Sequence, residues 1–398
     1  MERKHDYLII GAGMAADAAA KAIREVQADA DIGIVGEESS PPYQRPPLSK
    51  GLWKGDKSPA DVDLGTAGSG ATLYLGRRIE ALDREARLAR DDQGDSYRYD
   101  RLLLTTGATP RRLPSETSDR ILYYRSLADY LALRELALPG AYIAVIGAGF
   151  IGCELAASLA TLGCKVSLLF PGQLIGGGRY PDGLARYLDD YYRRRGVDVR
   201  SGVRVERSNP AEDGVELHLS DGSVMQLQAA VAGLGVTPNT ELAEQAGLTI
   251  DDGIVVDTQL RSSDPAIWAA GDVANFHKPA LDRRLRVEHE DAAVSMGRHA
   301  GRAMAGVAGD FTTLPFFYSD LFDLGYEAVG LLDARLEKVE DWTEPYREGV
   351  VYYLEQGRVR GVLLWNVWDQ VDAARALIAE PGPFDADSLR GRLPAKPA

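Results

Sequence analysis

Two short glycine clusters carry the clearest chemistry in this 398-residue chain. Gly11-Ala12-Gly13-Met14-Ala15-Ala16 and Gly147-Ala148-Gly149-Phe150-Ile151-Gly152 share one spacing: glycine, glycine two residues on, and a small residue three further. The first glycine permits a sharp turn, the second lets backbone approach a diphosphate, and the small residue lets a helix pack closely on its strand. A helix that opens directly after such a turn offers N–H groups and positive partial charge to phosphate oxygens. One copy alone is a weak signal. Two copies, each between an apolar strand and a helix, imply two dinucleotide sites.

The residue after the second strand of each unit sets how the ribose is held. In the first unit Glu37 stands where a carboxylate grips a ribose diol, with Glu38 beside it, and the choice between them rests on strand register. In the second unit that place holds Phe170, followed by Pro171, Gly172 and Gln173, so the expected acid is missing and the sequence does not establish a preference for NADH over NADPH. Arg179 is a candidate for a 2′-phosphate, although a solvent-facing arginine in a glycine-rich loop is the commoner explanation.

These residues need strands and helices around them. Tyr7–Ile10 runs as a strand into the first turn, with an alanine-rich helix to Val26 and a strand at Ile32–Val35. Tyr142–Ile146 repeats the pattern, with a helix to about Leu162 and a strand at Val166–Phe170. Each is a βαβ unit. Polar tips at Asp91–Asp95 and Ser220–Ser223 read as hairpin turns. From about Pro315 the chain turns to alternating strands, including Val350–Leu354 and Val359–Trp365, then a helix near Gln370–Ala379. The proline-bearing tail from Pro381 reads as a loose end.

A net charge of −14 disfavours nucleic acid and anionic membrane as partners. No stretch reaches the roughly 20 apolar residues of a membrane span. Arg3 and Lys4 ahead of an apolar run imitate a secretory signal, yet that run contains the first nucleotide turn. Two cysteines form no disulfide framework, which suits a reducing cytoplasm. The five histidines are scattered, without metal-ligand spacing.

Beyond the two turns, four further segments carry a resemblance. They are Arg45-Pro46-Pro47-Leu48-Ser49-Lys50, Thr105-Thr106-Gly107-Ala108-Thr109-Pro110, Gly233-Leu234-Gly235-Val236-Thr237-Pro238-Asn239 and Ala269-Ala270-Gly271-Asp272-Val273-Ala274. Over nearly its whole length the chain resembles the flavoprotein reductases of oxygenase ferredoxin reductase and apoptosis-inducing factor type, nearer the latter at its C-terminal end. The resemblance implies an α/β fold: two Rossmann-like, glutathione-reductase-like dinucleotide-binding domains and a smaller α+β C-terminal domain. It places FAD on residues 1–116 and 248–308, NADH or NADPH on 117–247, and the third domain on 309–398.

It also implies roles. On the FAD side stand Gly11, Gly13, Ala15, Ala16, Glu37, Arg45, Lys50, Thr106, Gly107, Gly271, Asp272, Glu288, His289 and Tyr318. On the nicotinamide side stand Gly147, Gly149, Phe150, Ile151, Gly152, Glu154, Phe170 and Gly235. Asp272 matches the acid that meets the ribityl chain. Lys50 matches a lysine beside flavin N5 and Glu154 its partner, a pairing in which the ammonium stabilises charge arriving on the ring and the carboxylate keeps the lysine charged. Phe150 either stacks near the nicotinamide or packs as ordinary core. Tyr318 departs from the tryptophan usual there, which puts the aromatic shielding in question.

Disulfide reductases of this fold carry a redox cysteine, or a pair, on a helix roughly 30 residues after the first turn, and Pro41–Lys50 has none. Cys153 and Cys164 read as small packing residues. The expected activity is therefore hydride transfer from NAD(P)H to FAD without a sulfur relay. Electrons would go on to a ferredoxin-type iron–sulfur protein, with Arg283, Arg284 and Arg286 as a candidate docking patch. The alternative is a slow NAD(P)H oxidase or quinone reductase that associates with redox state, for which a homodimer is one form.

Overall fold

The structure is a computed structural model that describes residues 1–114 and 118–393. The expected boundary between 116 and 117, and the last five residues of the tail, lie outside the described residues. The chain divides into two compact units. One takes Met1–Arg45, Pro59–Thr109 and Thr237–Pro315; the other takes Pro46–Ser58, Pro110–Val236 and Phe316–Ala398.

In the first unit β1 (Glu2–Ile10) lies between β2 (Ile32–Gly36) and β6 (Ser96–Leu104), parallel to both. β3 (Thr72–Leu75) extends the sheet beyond β2, while β5 (Leu88–Asp91) and β4 (Ile79–Asp83) extend it beyond β6, and the strand Ile267–Ala269 also pairs with β6. The run Tyr7-Leu8-Ile9-Ile10 is buried along its whole length, as a central parallel strand covered on both faces requires. Helix α1 (Met14–Val26) is rich in alanine, the strongest helix former. Its small side chains admit a close neighbour, the helix Glu290–Met304. A Cβ added at Gly297 would stand 2.2 Å from the Ala15 carbonyl oxygen, and one at Gly301 2.5 Å from that of Ala19.

In the second unit β7 (Tyr142–Ile146), α2 (Phe150–Thr161) and β8 (Lys165–Phe170) repeat the plan. Helix α3 (Asp182–Arg194) leads to β9 (Val197–Ser201), and the parallel order is β9, β8, β7, then β10 (Ala229–Ala232) and the strand Ile121–Tyr123. The same unit holds an antiparallel sheet of β11 (Phe316–Leu321), β12 (Leu324–Gly330), β13 (Glu337–Glu344), β14 (Glu348–Glu355) and β15 (Arg358–Trp365), in the order β11, β12, β15, β14, β13. Helix α4 (Val371–Ala379) packs on β12 and β15. The fold is thus α/β, with two Rossmann-like units and an α+β portion at the C-terminal end.

The tail is not loose as far as Leu393. A short helix, Ala386–Leu389, opens with a reciprocal cap between Asp385 and Ser388. Leu389 and Leu393 are buried, and the Leu393 amide donates to the Tyr352 hydroxyl at 3.2 Å. Apolar anchors decided this segment, and its prolines did not prevent it. Among the described residues no helix is long and apolar enough to cross a membrane, and no cluster of metal-ligating side chains occurs.

Candidate active site

Each nucleotide turn is shaped by what glycine alone allows. Gly11 has φ +106°, and a Cβ there would lie 2.1 Å from the Thr105 carbonyl oxygen. Gly147 has φ +105° with the Gly233 carbonyl equally in the way, and a Cβ at Gly152 would strike the Gly147 carbonyl oxygen at 1.9 Å. The middle glycines differ: at Gly13 and Gly149 an added Cβ meets nothing within 4 Å. Both are helix N-caps without a side-chain cap, so among the described residues no side-chain cap bonds the leading N–H groups of α1 and α2. Ala15 and Ala16 are buried behind the first turn. Open backbone before an uncapped helix is what a dinucleotide diphosphate needs, and both turns fit one.

Around the first turn, the two neighbouring acids separate clearly. Glu38 is committed to its own chain: it accepts from the Tyr43 hydroxyl at 2.6 Å and pairs with Arg45. Glu37 is exposed and bonds no described side chain, which leaves its carboxylate for a ribose diol. Arg45 lies over the Tyr43 ring at 5.1 Å. Burial works against its charge, and Tyr43, Glu38 and Asp272 outweigh burial to hold the guanidinium above its ordinary value. Gly271, at φ +78°, brings the backbone beside Asp272 to within 3.4 Å of the Ala15 side chain, measured to an added Cβ. Thr106 and Asn239 bond each other reciprocally, each bond 2.8 Å, and the Asn239 amide donates to the Gly107 carbonyl at 3.0 Å. His289 is the N-cap of the helix Glu290–Met304.

The arginine run does not form a free basic patch. Arg286 is half-buried and neutralised by Glu288 at 2.6 Å and Asp252 at 3.2 Å. Arg284 is spent on the side-chain and backbone oxygens of Asn275 and on the Val256 carbonyl. These arginines fasten their own hairpin, which sequence spacing alone did not disclose.

In the second unit Lys50 and Glu154 meet although 104 residues separate them: Lys50 Nζ lies 2.8 Å from Glu154 Oε2. Two hydroxyls complete the carboxylate's shell, Ser49 Oγ donating to Oε2 at 2.6 Å and Ser319 Oγ to Oε1 at 2.6 Å. Glu154 is 2% exposed and Lys50 12% by side chain, so the pair is largely dry. A buried carboxylate needs such partners to stay ionised. The Tyr318 ring lies 4.8 Å from Lys50 Nζ, giving the ammonium an aromatic face. Ser49 and Ser319 escaped sequence reasoning; the signal was a hydroxyl in the residue next to Lys50 and another in the residue next to Tyr318.

Phe150 begins α2 and is half-buried, with Phe317 against it edge-on at 5.0 Å. Arg179 is half-buried, with its guanidinium carbon 4.3 Å from the Phe150 ring centre, so its side chain lies on an aromatic ring and not free in solvent. Ile151 is half-buried in the next helical position, and Phe170 is buried at the end of β8. Gly235, at φ +82°, accepts from the Arg111 amide at 2.9 Å. Both cysteines are free and buried, and burial pushes the Cys153 thiol up to about 12. A thiol so protonated at neutral pH is not a redox nucleophile.

Two nucleotide turns of this geometry, with a charged lysine–glutamate pair held in the second unit and no reactive thiol, define a flavin- and nicotinamide-dependent oxidoreductase. The chain belongs to the pyridine nucleotide-disulphide oxidoreductase family, whose model matches residues 5–297; residues 337–380 match the C-terminal model of mitochondrion-associated apoptosis-inducing factor. It is 33% identical over 390 residues to the ferredoxin–NAD(+) reductase component of the anthranilate 1,2-dioxygenase system of Burkholderia cepacia, covering 96% of each chain. It is 31% identical to apoptosis-inducing factor 1 of Dictyostelium discoideum, covering 94% of this chain and 78% of that one. Among solved structures, putidaredoxin reductase in its covalent complex with putidaredoxin superposes with a TM-score of 0.91 at 28% identity, over 96% of this chain and 95% of that one. FAD and NAD(H) are the cofactor and cosubstrate that this membership implies.

Proposed function

We propose that the chain passes hydride from NAD(P)H to FAD and hands the electrons to a small ferredoxin-type iron–sulfur protein in the cytoplasm. The observation that carries the reading is the Lys50–Glu154 pair with its two serine donors. FAD, when bound, supplies the hydride-accepting N5 and the ability to release electrons singly. The chain's own residues do the rest. The turn from Gly11 to Ala16 holds the FAD diphosphate, Glu37 its ribose and Asp272 its ribityl chain. The turn from Gly147 to Gly152 holds the second dinucleotide, with Phe150 as the plate for its nicotinamide. Lys50 presents a fixed positive charge where negative charge gathers on the flavin, and Glu154 keeps that lysine protonated and aimed. Ser49 and Ser319 orient Glu154, so the charge is set before the reaction begins, which is how electrostatic preorganisation lowers a barrier.

The named relatives support the partner, since one is the reductase component of a dioxygenase system and another was solved joined to putidaredoxin. The match of residues 337–380 to the apoptosis-inducing factor model supports a second reading, a slow oxidase or quinone reductase that changes its association with redox state. Anaerobic stopped-flow titration of the purified holoprotein with NADH and with NADPH, followed by mixing with a ferredoxin, separates the two. Rapid bleaching and rapid reoxidation by ferredoxin are expected. A reduced complex that persists in air and alters the oligomer size would favour the second reading, and failure to bleach with either nucleotide would sink both.

A further inference from the structure

Arg179 follows three glycines in the loop after β8. The loop is tied down: the Arg179 carbonyl accepts from the Tyr353 hydroxyl at 2.8 Å, and the Gly178 carbonyl from the Ala334 amide at 2.9 Å. Its side chain is therefore delivered at a set angle onto Phe150, 4.3 Å from the ring centre, with the Tyr180 ring at 5.8 Å. Phe317 braces Phe150 edge-on at an interplanar angle of 60°.

Arg179 shares with Arg358 a buried Nε that no acceptor meets. Arg45, Arg77 and Arg286, likewise withdrawn from solvent, each pair with a carboxylate. Arg179 has no such partner among the described residues, and its buried Nε has no hydrogen-bond acceptor. Its cationic field is left unneutralised. The adjacent Lys50–Glu154 pair is neutral in sum and does not cancel it.

The geometry points to Arg179 as a residue that positions Phe150 and reads the charge of the ring stacked upon it, favouring neutral reduced nicotinamide over the cationic oxidised form. This rests on the reading of Phe150 as the nicotinamide plate. A ring stacked at van der Waals distance on the far face of Phe150 lies about 8 Å from the guanidinium, which is the sum of 4.3 Å and roughly 3.5 Å. Two like charges at that separation in a partly screened site shift relative affinity by about tenfold. The consequence is prompt release of the oxidised nucleotide, which suits a turnover enzyme better than a redox sensor.

The test uses the FAD-loaded protein and three probes in calorimetric titration: NAD(+), the 1,4,5,6-tetrahydro analogue of NADH, whose ring is neutral and cannot donate hydride, and ADP-ribose, which lacks the ring. Wild type should bind the tetrahydro analogue more tightly than NAD(+). Arg179→Met should narrow that gap about tenfold, Arg179→Lys should preserve it, and ADP-ribose should bind all three proteins alike. Arg179→Gln serves as the neutral variant should the methionine variant not fold. An unchanged affinity ratio in the neutral variant overturns the inference while leaving Phe150 in place. Indistinguishable binding of all three probes to wild type would instead show that no ring reaches Phe150, and both ideas fall together.

Discussion

Replacing Lys50 with methionine removes one charge and little else. The aliphatic stem can still lie against Tyr318, whereas Glu154 keeps only its two serine donors, Ser49 and Ser319, each at 2.6 Å. The carboxylate is 2% exposed, so losing the ammonium at 2.8 Å leaves a buried anion without a counter-charge. Breaking such a pair costs about 3 kcal/mol or more. For the reaction, withdrawing one preorganised charge should slow flavin reduction about a hundredfold, equivalent to about 2.7 kcal/mol of barrier. FAD retention should hardly change, because the contacts proposed for its diphosphate and ribose, Gly11–Ala16 and Glu37, do not include Lys50. The assay is anaerobic stopped-flow bleaching with NADH, alongside the flavin-to-protein absorbance ratio after gel filtration. The double variant Lys50→Met with Glu154→Gln should recover much of the lost stability, since removing both charges leaves no unpaired one, but none of the lost rate. Reduction of the Lys50→Met protein within twofold of wild type would refute the assigned role, and so would a rate loss explained entirely by missing flavin.

Gly297→Ala should destabilise the first unit by about 2–3 kcal/mol, because the new methyl collides with the Ala15 carbonyl oxygen at 2.2 Å; thermal melting and flavin content read this out. Burial lowers the His299 pKa below its ordinary 6.5, and its Nε2 has no partner. The unfolded chain therefore binds the extra proton first, so stability is full above about pH 6.5 and falls as the pH drops toward the folded value. His299→Phe, beside Phe311, should flatten the fall in melting temperature between pH 7 and pH 5.5, and an unchanged slope would assign that fall to other groups. Cys153→Ala should leave the rate of flavin reduction within about twofold, as expected of a thiol held protonated by burial, and a large loss would reopen a sulfur relay.

Sequence alone determined those features that depend on local spacing. Two glycine turns each flanked by a strand and a helix specified two nucleotide units, since turn, close approach and helix packing are all settled within about twenty residues. The absence of cysteine from Pro41–Lys50 likewise spoke against a disulfide mechanism without any coordinates. Tertiary structure decided what depends on distant segments meeting. Lys50 reaches Glu154 across 104 residues, and Ser319 arrives from a further strand to fill the second carboxylate oxygen. Glu38 proved to be bonded to Tyr43 and Arg45, a commitment of its carboxylate that strand register alone did not reveal. Arg179 was read by type as solvent-facing or phosphate-seeking, yet the fold set it on an aromatic ring. A side chain's charge is written in the sequence, but the partners that neutralise or expose that charge come from chain packing, and packing is a non-local property.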